Sequence, residues 1–241
     1  YETNLLGYLS GAPLRLFGQR PRRSINFLSN FRPKPPAEDK SKHAIDRYLD
    51  VLAPLGVKNV PRTPRIGTRA EDDASVDERL KKEKVSSVAP LVGLFPGSGH
   101  PGRRWPLERF AELAERLERN EGARIALFVG PEEREMVEEI RSTFPPMTVI
   151  FDRLTIPQLA SALARLSVFI SNSTGPMHIA AAVGTPVIML IPSMTPDGFT
   201  PAGEGHRIIF SRAIKELEVS EVYKVARAMV ADGRLCGASA D

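Results

Sequence analysis

From residue 88 onward, short apolar runs alternate with longer amphipathic segments, and this alternation most limits what the chain can fold into. The runs are "VAPLVGLFP" (88–96), "ARIALFVG" (123–130), "MTVIFD" (147–152), "LSVFIS" (166–171) and "TPVIMLI" (185–191). They are rich in β-branched residues and apolar at successive positions, as strands buried on both faces are. Between them lie "PLERFAELAERLERN" (106–120), "PEEREMVEEIRSTF" (131–144), "TIPQLASALARL" (155–166) and "PMHIAAAVG" (176–184), which read as helices. "HRIIF" (206–210) is a candidate last strand and "ELEVSEVYKVARAMVAD" (216–232) a terminal amphipathic helix. Strand–helix alternation of this kind predicts an α/β fold, a Rossmann-like parallel sheet with helices on both faces.

Residues 1–85 differ. They hold a proline-rich patch ("RPKPPAEDKSKH", 32–43), one clear helix (44–56) and a charged tract ("RAEDDASVDERLKKEK", 69–84), with few apolar runs. The expected division is therefore a partial domain plus linker over 1–85 and a complete α/β domain over 86–241. The first 35 residues are dense in Arg15, Arg20, Arg22, Arg23, Arg32 and Lys34. Such a segment is either a solvated surface or a contact for an anionic membrane face or acidic substrate. No nucleic-acid motif accompanies it. The net charge is +4, and the single cysteine, Cys236, leaves no internal disulfide and no cysteine zinc site. The four histidines, at 43, 100, 178 and 206, have no metal-ligand spacing. No apolar run approaches the roughly 20 residues that span a bilayer.

In a parallel sheet every strand-to-helix turn lies at one edge, where ligands bind. The turn "SNSTGPMH" (171–178) places Ser173, Thr174 and Gly175 before a helix whose first turn holds Pro176. Two readings stand: an ordinary N-cap, or an anion site built on unpaired backbone N–H groups. His178 either faces a ligand or is buried as a structural residue. The turn "PGSGHPGRRWP" (96–106) carries Gly97, Gly99 and Gly102, which allow positive φ and close approach. It adds the Ser98 hydroxyl and the guanidinium groups of Arg103 and Arg104, suited to a diphosphate. It fits neither a Walker loop nor a dinucleotide fingerprint. In "VGPEERE" (129–135), Glu132 and Glu133 complement a helix dipole or accept ribose hydroxyls. In "FDRLTIPQ" (151–158) the backbone is placed to meet a base edge.

Three of these stretches, "GLFPGSGHPGRRWPLERFAELAERL" (93–117), "FVGPEERE" (128–135) and "SNSTGPMHIAAAVGTPVIMLI" (171–191), resemble glycosyltransferase family 9 in order and spacing. These are the ADP-heptose:lipopolysaccharide heptosyltransferases, and the likeness covers roughly residues 88–212. The resemblance implies one complete half of a GT-B pair of Rossmann-like domains, the half that holds a nucleotide-sugar donor. By position, Arg103 would be the basic diphosphate contact and Arg104 would point elsewhere. Gly97, Ser98 and Gly99 would form the phosphate loop, Glu133 would bind ribose, and the Leu154 backbone would meet adenine. Ser173, Thr174, Gly175, Pro176 and His178 would close over the sugar and diphosphate. The implied reaction is inverting and metal-independent, with no cofactor, from an ADP-heptose-like donor to a lipopolysaccharide or other envelope glycan or glycolipid. The implied place is the cytoplasm, at the inner membrane face. Many heptosyltransferases have Asp where Ser173 stands. The family's presumed Asp base lies near the start of the full protein and has no counterpart here, so this chain alone is expected to be inactive. An inactive nucleotide-binding module and a nucleotide-sugar epimerase are the alternatives.

Overall fold

The computed structural model describes residues 2–21, 24–192 and 197–237. Arg22 and Arg23 of the basic segment lie outside the described residues. In chain order the elements are α1 (Glu2–Leu9), α2 (Ala44–Leu52), α3 (Ala70–Lys82), β1 (Leu91–Phe95), α4 (Leu107–Glu121) and β2 (Arg124–Phe128). There follow α5 (Val137–Thr143), β3 (Val149–Phe151), α6 (Ile156–Ala164), β4 (Val168–Asn172), α7 (Gly175–Ala182), β5 (Val187–Pro192), β6 (Arg207–Ser211) and α8 (Val219–Gly237). Single 3-10 turns precede α4 at Pro101–Arg103 and α5 at Pro131–Met136.

The strands form one six-stranded sheet in the order β3-β2-β1-β4-β5-β6, every pairing parallel. This is the expected Rossmann-like α/β architecture. Alternation along each strand sorts the side chains into two cores. Val92, Leu94, Ile125, Leu127, Val168, Ile170, Ile188 and Leu190 face α4, α5 and α8. Leu91, Phe95, Ala126, Phe128, Phe169, Val187, Met189 and Ile191 face α3, α6 and α7. On α4, Phe110, Leu113, Ala114 and Leu117 recur at helical spacing and are buried. That helix stops at Gly122, whose φ of 62° is left-handed.

Contacts divide the chain into two units, Tyr1–Arg62 with Pro196–Thr200, and Thr63–Thr195 with Pro201–Asp241. The division falls earlier than residue 85 because the charged tract is a helix of the larger unit. Its carboxylates Glu71, Asp72 and Asp73 occupy the first turn of α3, and Arg79, Lys81 and Lys82 the last, both favourable to the helix dipole. Val76 enters the sheet core at 2% exposure. Arg165, just beyond α6, bonds Asp73 at 2.7 Å and Asp77 at 2.9 Å.

The smaller unit is held mainly by polar ties. Asn30 accepts from Arg15 N–H and donates to Pro13 O, each at 2.8 Å, and Arg15 Nε donates to Leu28 O at 3.0 Å. Among its described residues Leu28, Pro35 and Ala44 are buried and apolar, whereas Leu5, Leu6, Leu9, Leu14 and Phe27 are exposed.

His206 closes the amino-terminal edge of the sheet between β5 and β6. Its Nδ1 accepts the Val187 N–H at 3.1 Å, so the ring proton sits on Nε2, 3.3 Å from Ala202 O. Burial holds its pKa below the usual histidine value, and the bond to Ala202 opposes that only in part. A lowered folded-state pKa means the unfolded chain takes up the proton first. Stability from this group is therefore complete above about pH 6.5 and is lost as pH falls below it. Thermal unfolding should show the melting temperature falling from pH 7 to pH 5. His206→Asn, which keeps an acceptor and does not titrate, should flatten that fall.

Candidate functional site

The chain runs outward from β1 through β2 to β3 on one side, then crosses back to β4 on the other. The exits of β1 and β4 therefore part, with α4 on one face of the sheet and α7 on the opposite face. A crevice at such a switch point is the usual ligand site of open parallel sheets. Two of the turns singled out in the sequence, 96–106 and 172–175, follow these two strands directly.

Asn172, the last residue of β4, is fully buried beneath both. Its Nδ2 donates to Pro96 O at 2.7 Å and lies 3.4 Å from Gly97 O, and its Oδ1 accepts the Trp105 N–H at 3.0 Å. Trp105 is pinned in turn: its indole N–H donates to Leu217 O at 2.9 Å and its ring meets Phe110 edge-on, centroids 4.8 Å apart.

Within the first turn, Ser98 is buried and Gly99 exposed. Arg103 is exposed, and its guanidinium makes no hydrogen bond or ion pair among the described residues. Arg104 turns back into the loop, donating from Nε (2.9 Å) and Nη2 (2.7 Å) to Ser98 O. The same Nη2 lies 3.6 Å from Glu133 Oε1. Arg104 thus does not point away from the predicted site residues; it binds two of them.

Glu133 lies in the 3-10 turn after β2 and is only 7% exposed. A Cβ on Gly97 would fall 2.5 Å from Glu133 Oε1, and one on Gly130 would fall 2.6 Å from its Oε2. These glycines exist so that a carboxylate can lie against the backbone. Gly97, Gly99 and Gly102 are not among the glycines of positive φ, so the loop does not use the conformational freedom the sequence suggests. Gly97, Arg104 and Glu133 line a cavity of about 320 Å³ that Pro101, Trp105 and Lys215 also border. Leu154 lies elsewhere, in a separate cleft of about 340 Å³ between α3 and the β3–α6 turn.

In the second turn the N-cap position belongs to Thr174, not Ser173, and its side chain makes no capping hydrogen bond. Pro176 lies in the first turn of α7, as expected. Ser173 and Thr174 are partly exposed and Gly175 is exposed, with open space where a Cβ would stand. His178 is exposed, so it is not the buried structural histidine of the sequence alternatives. The start of a helix, with two hydroxyls beside it, is the kind of group that suits an anion. Among the described residues no cluster of His, Cys, Asp and Glu could hold a metal ion.

Comparison with known proteins agrees with this architecture. Residues 8–226 match glycosyltransferase family 9 (heptosyltransferase). The chain belongs to glycosyltransferase family 9. Among curated family 9 relatives, Escherichia coli lipopolysaccharide heptosyltransferase 2 is 30% identical over 221 residues, 87% of this chain and 62% of that protein. Haemophilus influenzae lipooligosaccharide heptosyltransferase 2 is 32% identical over 148 residues, 57% of this chain and 42% of that protein. The chain thus spans only part of the length of these relatives. A family 9 glycosyl transferase from Veillonella parvula superposes with a TM-score of 0.81 at 25% identity, covering 95% of this chain and 71% of that one. E. coli heptosyltransferase WaaC, solved with ADP, shares the fold at a TM-score of 0.64 and 20% identity, covering 85% of this chain and 61% of that one.

The sequence reading did not single out Asn172 or Lys215, and it named Arg104 as a diphosphate cation that the family resemblance turned elsewhere, not as the partner of Ser98 and Glu133. A polar residue ending an otherwise apolar buried strand was the available signal for Asn172. The two arginines of this family 9 turn should separate by stability. Arg104→Ala leaves Ser98 O and the Glu133 carboxylate without their cation and should cost about 1–3 kcal/mol in denaturant unfolding. Arg103→Ala should leave stability within about 0.5 kcal/mol of wild type.

Proposed function

We propose that this chain is the donor-binding domain, with part of the acceptor-side domain, of a glycosyltransferase that moves a sugar from a nucleotide-sugar to a lipopolysaccharide or related envelope glycan. The donor is an ADP-linked heptose or a close relative, and transfer proceeds with inversion and without a metal. The observation that carries this reading is the pair of turns at the β1/β4 crevice, one with an unpaired guanidinium and the other opening an uncapped helix, in a chain of family 9.

Inverting transfer breaks the bond between the anomeric carbon and the diphosphate while an acceptor hydroxyl attacks from the opposite side. Negative charge grows on the leaving diphosphate. Arg103 and the N–H groups of α7 are the fixed donors that stabilise it, with Gly97, Ser98 and Gly99 as the loop around it. Glu133 takes the ribose hydroxyls, and the Leu154 backbone takes the base. Thr174, Gly175, Pro176 and His178 border the sugar. On the acceptor side, the smaller unit carries a cleft of about 540 Å³ lined by Phe17, Arg20, Glu38, Arg47, Tyr48 and Phe199. Glu38 there bridges Arg20 (3.1 Å) and Arg47 (3.3 Å). Paired charges beside aromatic rings suit a saccharide. The exposed Leu5, Leu6, Leu9 and Leu14, in the same basic segment as Arg15 and Arg20, fit peripheral contact with an anionic inner membrane face. No helix of the described residues is long and apolar enough to cross a membrane.

Calorimetry of this chain against ADP, UDP, GDP and CMP tests the donor reading. ADP should bind most tightly, and Arg103→Ala should weaken it by about 1.5–3 kcal/mol, the worth of a charge-assisted hydrogen bond. Absence of nucleotide binding, or Arg103→Ala binding ADP as wild type does, would refute it.

Ser173 should govern the sugar. It stands where many heptosyltransferases have Asp, and Thr174 rather than Ser173 occupies the cap, so helix capping offers no rival explanation for an effect. Ser173→Asp should reorder the affinities of a series of ADP-sugars, because a site built on hydrogen bonds penalises a mismatched partner. An unchanged order would remove Ser173 from the sugar site.

A further inference from the structure

The carboxamide of Asn172 joins three backbone groups that belong to two different turns. It ends β4, so the turn Ser173–Thr174–Gly175 follows it directly in the chain. Its side chain holds the other turn at both ends: Pro96 O at 2.7 Å where that turn begins, and the Trp105 N–H at 3.0 Å where it closes. A second carbonyl, Gly97 O, lies 3.4 Å from the same Nδ2. An amide alone among short side chains offers two donor hydrogens and an acceptor on one rigid plane. Aspartate would set a carboxylate against carbonyl oxygens, and an apolar residue would leave Trp105 N–H and Pro96 O unpaired in a site of 0% exposure.

The closing end of the first turn has further anchors. Trp105 is held to Leu217 O through its indole, and Arg109 Nη1 reaches the same oxygen at 2.6 Å. Those bonds fix the turn to the segment before α8; none of them reaches β4. Arg104 binds only within its own turn and to Glu133. Among the side-chain hydrogen bonds of the described residues, Asn172 is therefore the link between the 96–105 turn and the β4 exit.

We propose that Asn172 is a positioning residue that sets the spacing between the two turns gripping the donor's diphosphate. The inference rests on the donor reading above. A diphosphate held from both sides depends on the separation of its two sets of donors. Misplacement by about 1 Å can cost as much as a hundredfold where geometry is this demanding. A single phosphate held by one turn does not feel that separation.

The test is the ratio of ADP to AMP affinity in Asn172→Leu, which matches the shape of asparagine and introduces no charge. Calorimetry on the folded variant, with folding checked by circular dichroism, should show ADP weakened about tenfold or more and AMP weakened less than about threefold. Should the leucine variant not fold, Asn172→Ser supplies the same ratio. Equal losses for ADP and AMP, or an unchanged ADP affinity in a folded variant, would leave Asn172 a purely structural residue and overturn the proposal. If wild type binds AMP but gains nothing from the second phosphate, the inference fails while nucleotide binding stands. If wild type binds neither, the donor reading itself fails.

Discussion

The parallel pairing of β1 with β4 is the constraint on which the rest depends. Val92, Gly93, Leu94 and Phe95 lie beside Val168, Phe169, Ile170 and Ser171 in register, so both strands end at the same height. Right-handed crossovers then oblige the chain to leave β1 toward one face and β4 toward the other. Two turns that never meet in sequence come to flank one crevice. The same parting removes the backbone partners that a continuing sheet would supply. The exit groups of β1 must be satisfied by something reaching across, and the side chain at the end of β4 is the nearest source. The buried amide at position 172 is thus a consequence of the topology.

Beneath this crevice, charge is handled by close packing. The Glu133 carboxylate is almost wholly buried, a costly state unless a cation and hydrogen-bond donors accompany it. Arg104 supplies the cation at 3.6 Å, and glycines 97 and 130 let the carboxylate lie against the chain. Adjacent arginines consequently have different work. Arg104 is occupied by Ser98 O and Glu133, and its neighbour Arg103 projects into solvent with its donors unspent. One arginine of the pair braces the loop, and its neighbour leaves its guanidinium open to solvent, as the proposed phosphate contact requires.

The sheet was legible in the sequence because strands buried on both faces leave an unmistakable record: "VFIS" and "VIMLI" have few other uses. The turns were legible too, since parallel topology gathers them at one edge. The charged tract 69–84 was not recognised as a helix of the larger unit. Its apolar stripe is short, essentially Val76 and Leu80, and it is held as well by the end charges of α3 and by Arg165, a residue distant in sequence. Of the first turn's glycines only Gly97 shows the expected close approach, to Glu133 of a different strand's turn; Gly99 has open space where a Cβ would stand, and none of the three has positive φ. Asn172 escaped notice for the same cause: its three partners, Pro96, Gly97 and Trp105, lie far away along the chain.

Two threonines show how far local sequence can be trusted at such a site. Thr155 and Thr174 each precede a helix with proline in its first turn. Thr155, at φ −70°, accepts the Gln158 N–H and completes a capping box in which the Gln158 side chain returns the bond. Thr174, at φ −153°, makes no side-chain capping bond. An N-cap hydroxyl is worth about 1 kcal/mol, so local stability favours the first arrangement in both places. The second occurs where the chain leaves the end of a central strand in extended backbone, directly after the buried Asn172. Thr174 thus leaves the start of α7 without the side-chain cap that Thr155 gives α6. Forgoing the cap there, while keeping it one helix earlier, is the local difference between two turns of similar layout, and it is the feature that the proposed anion-binding role of the second turn requires.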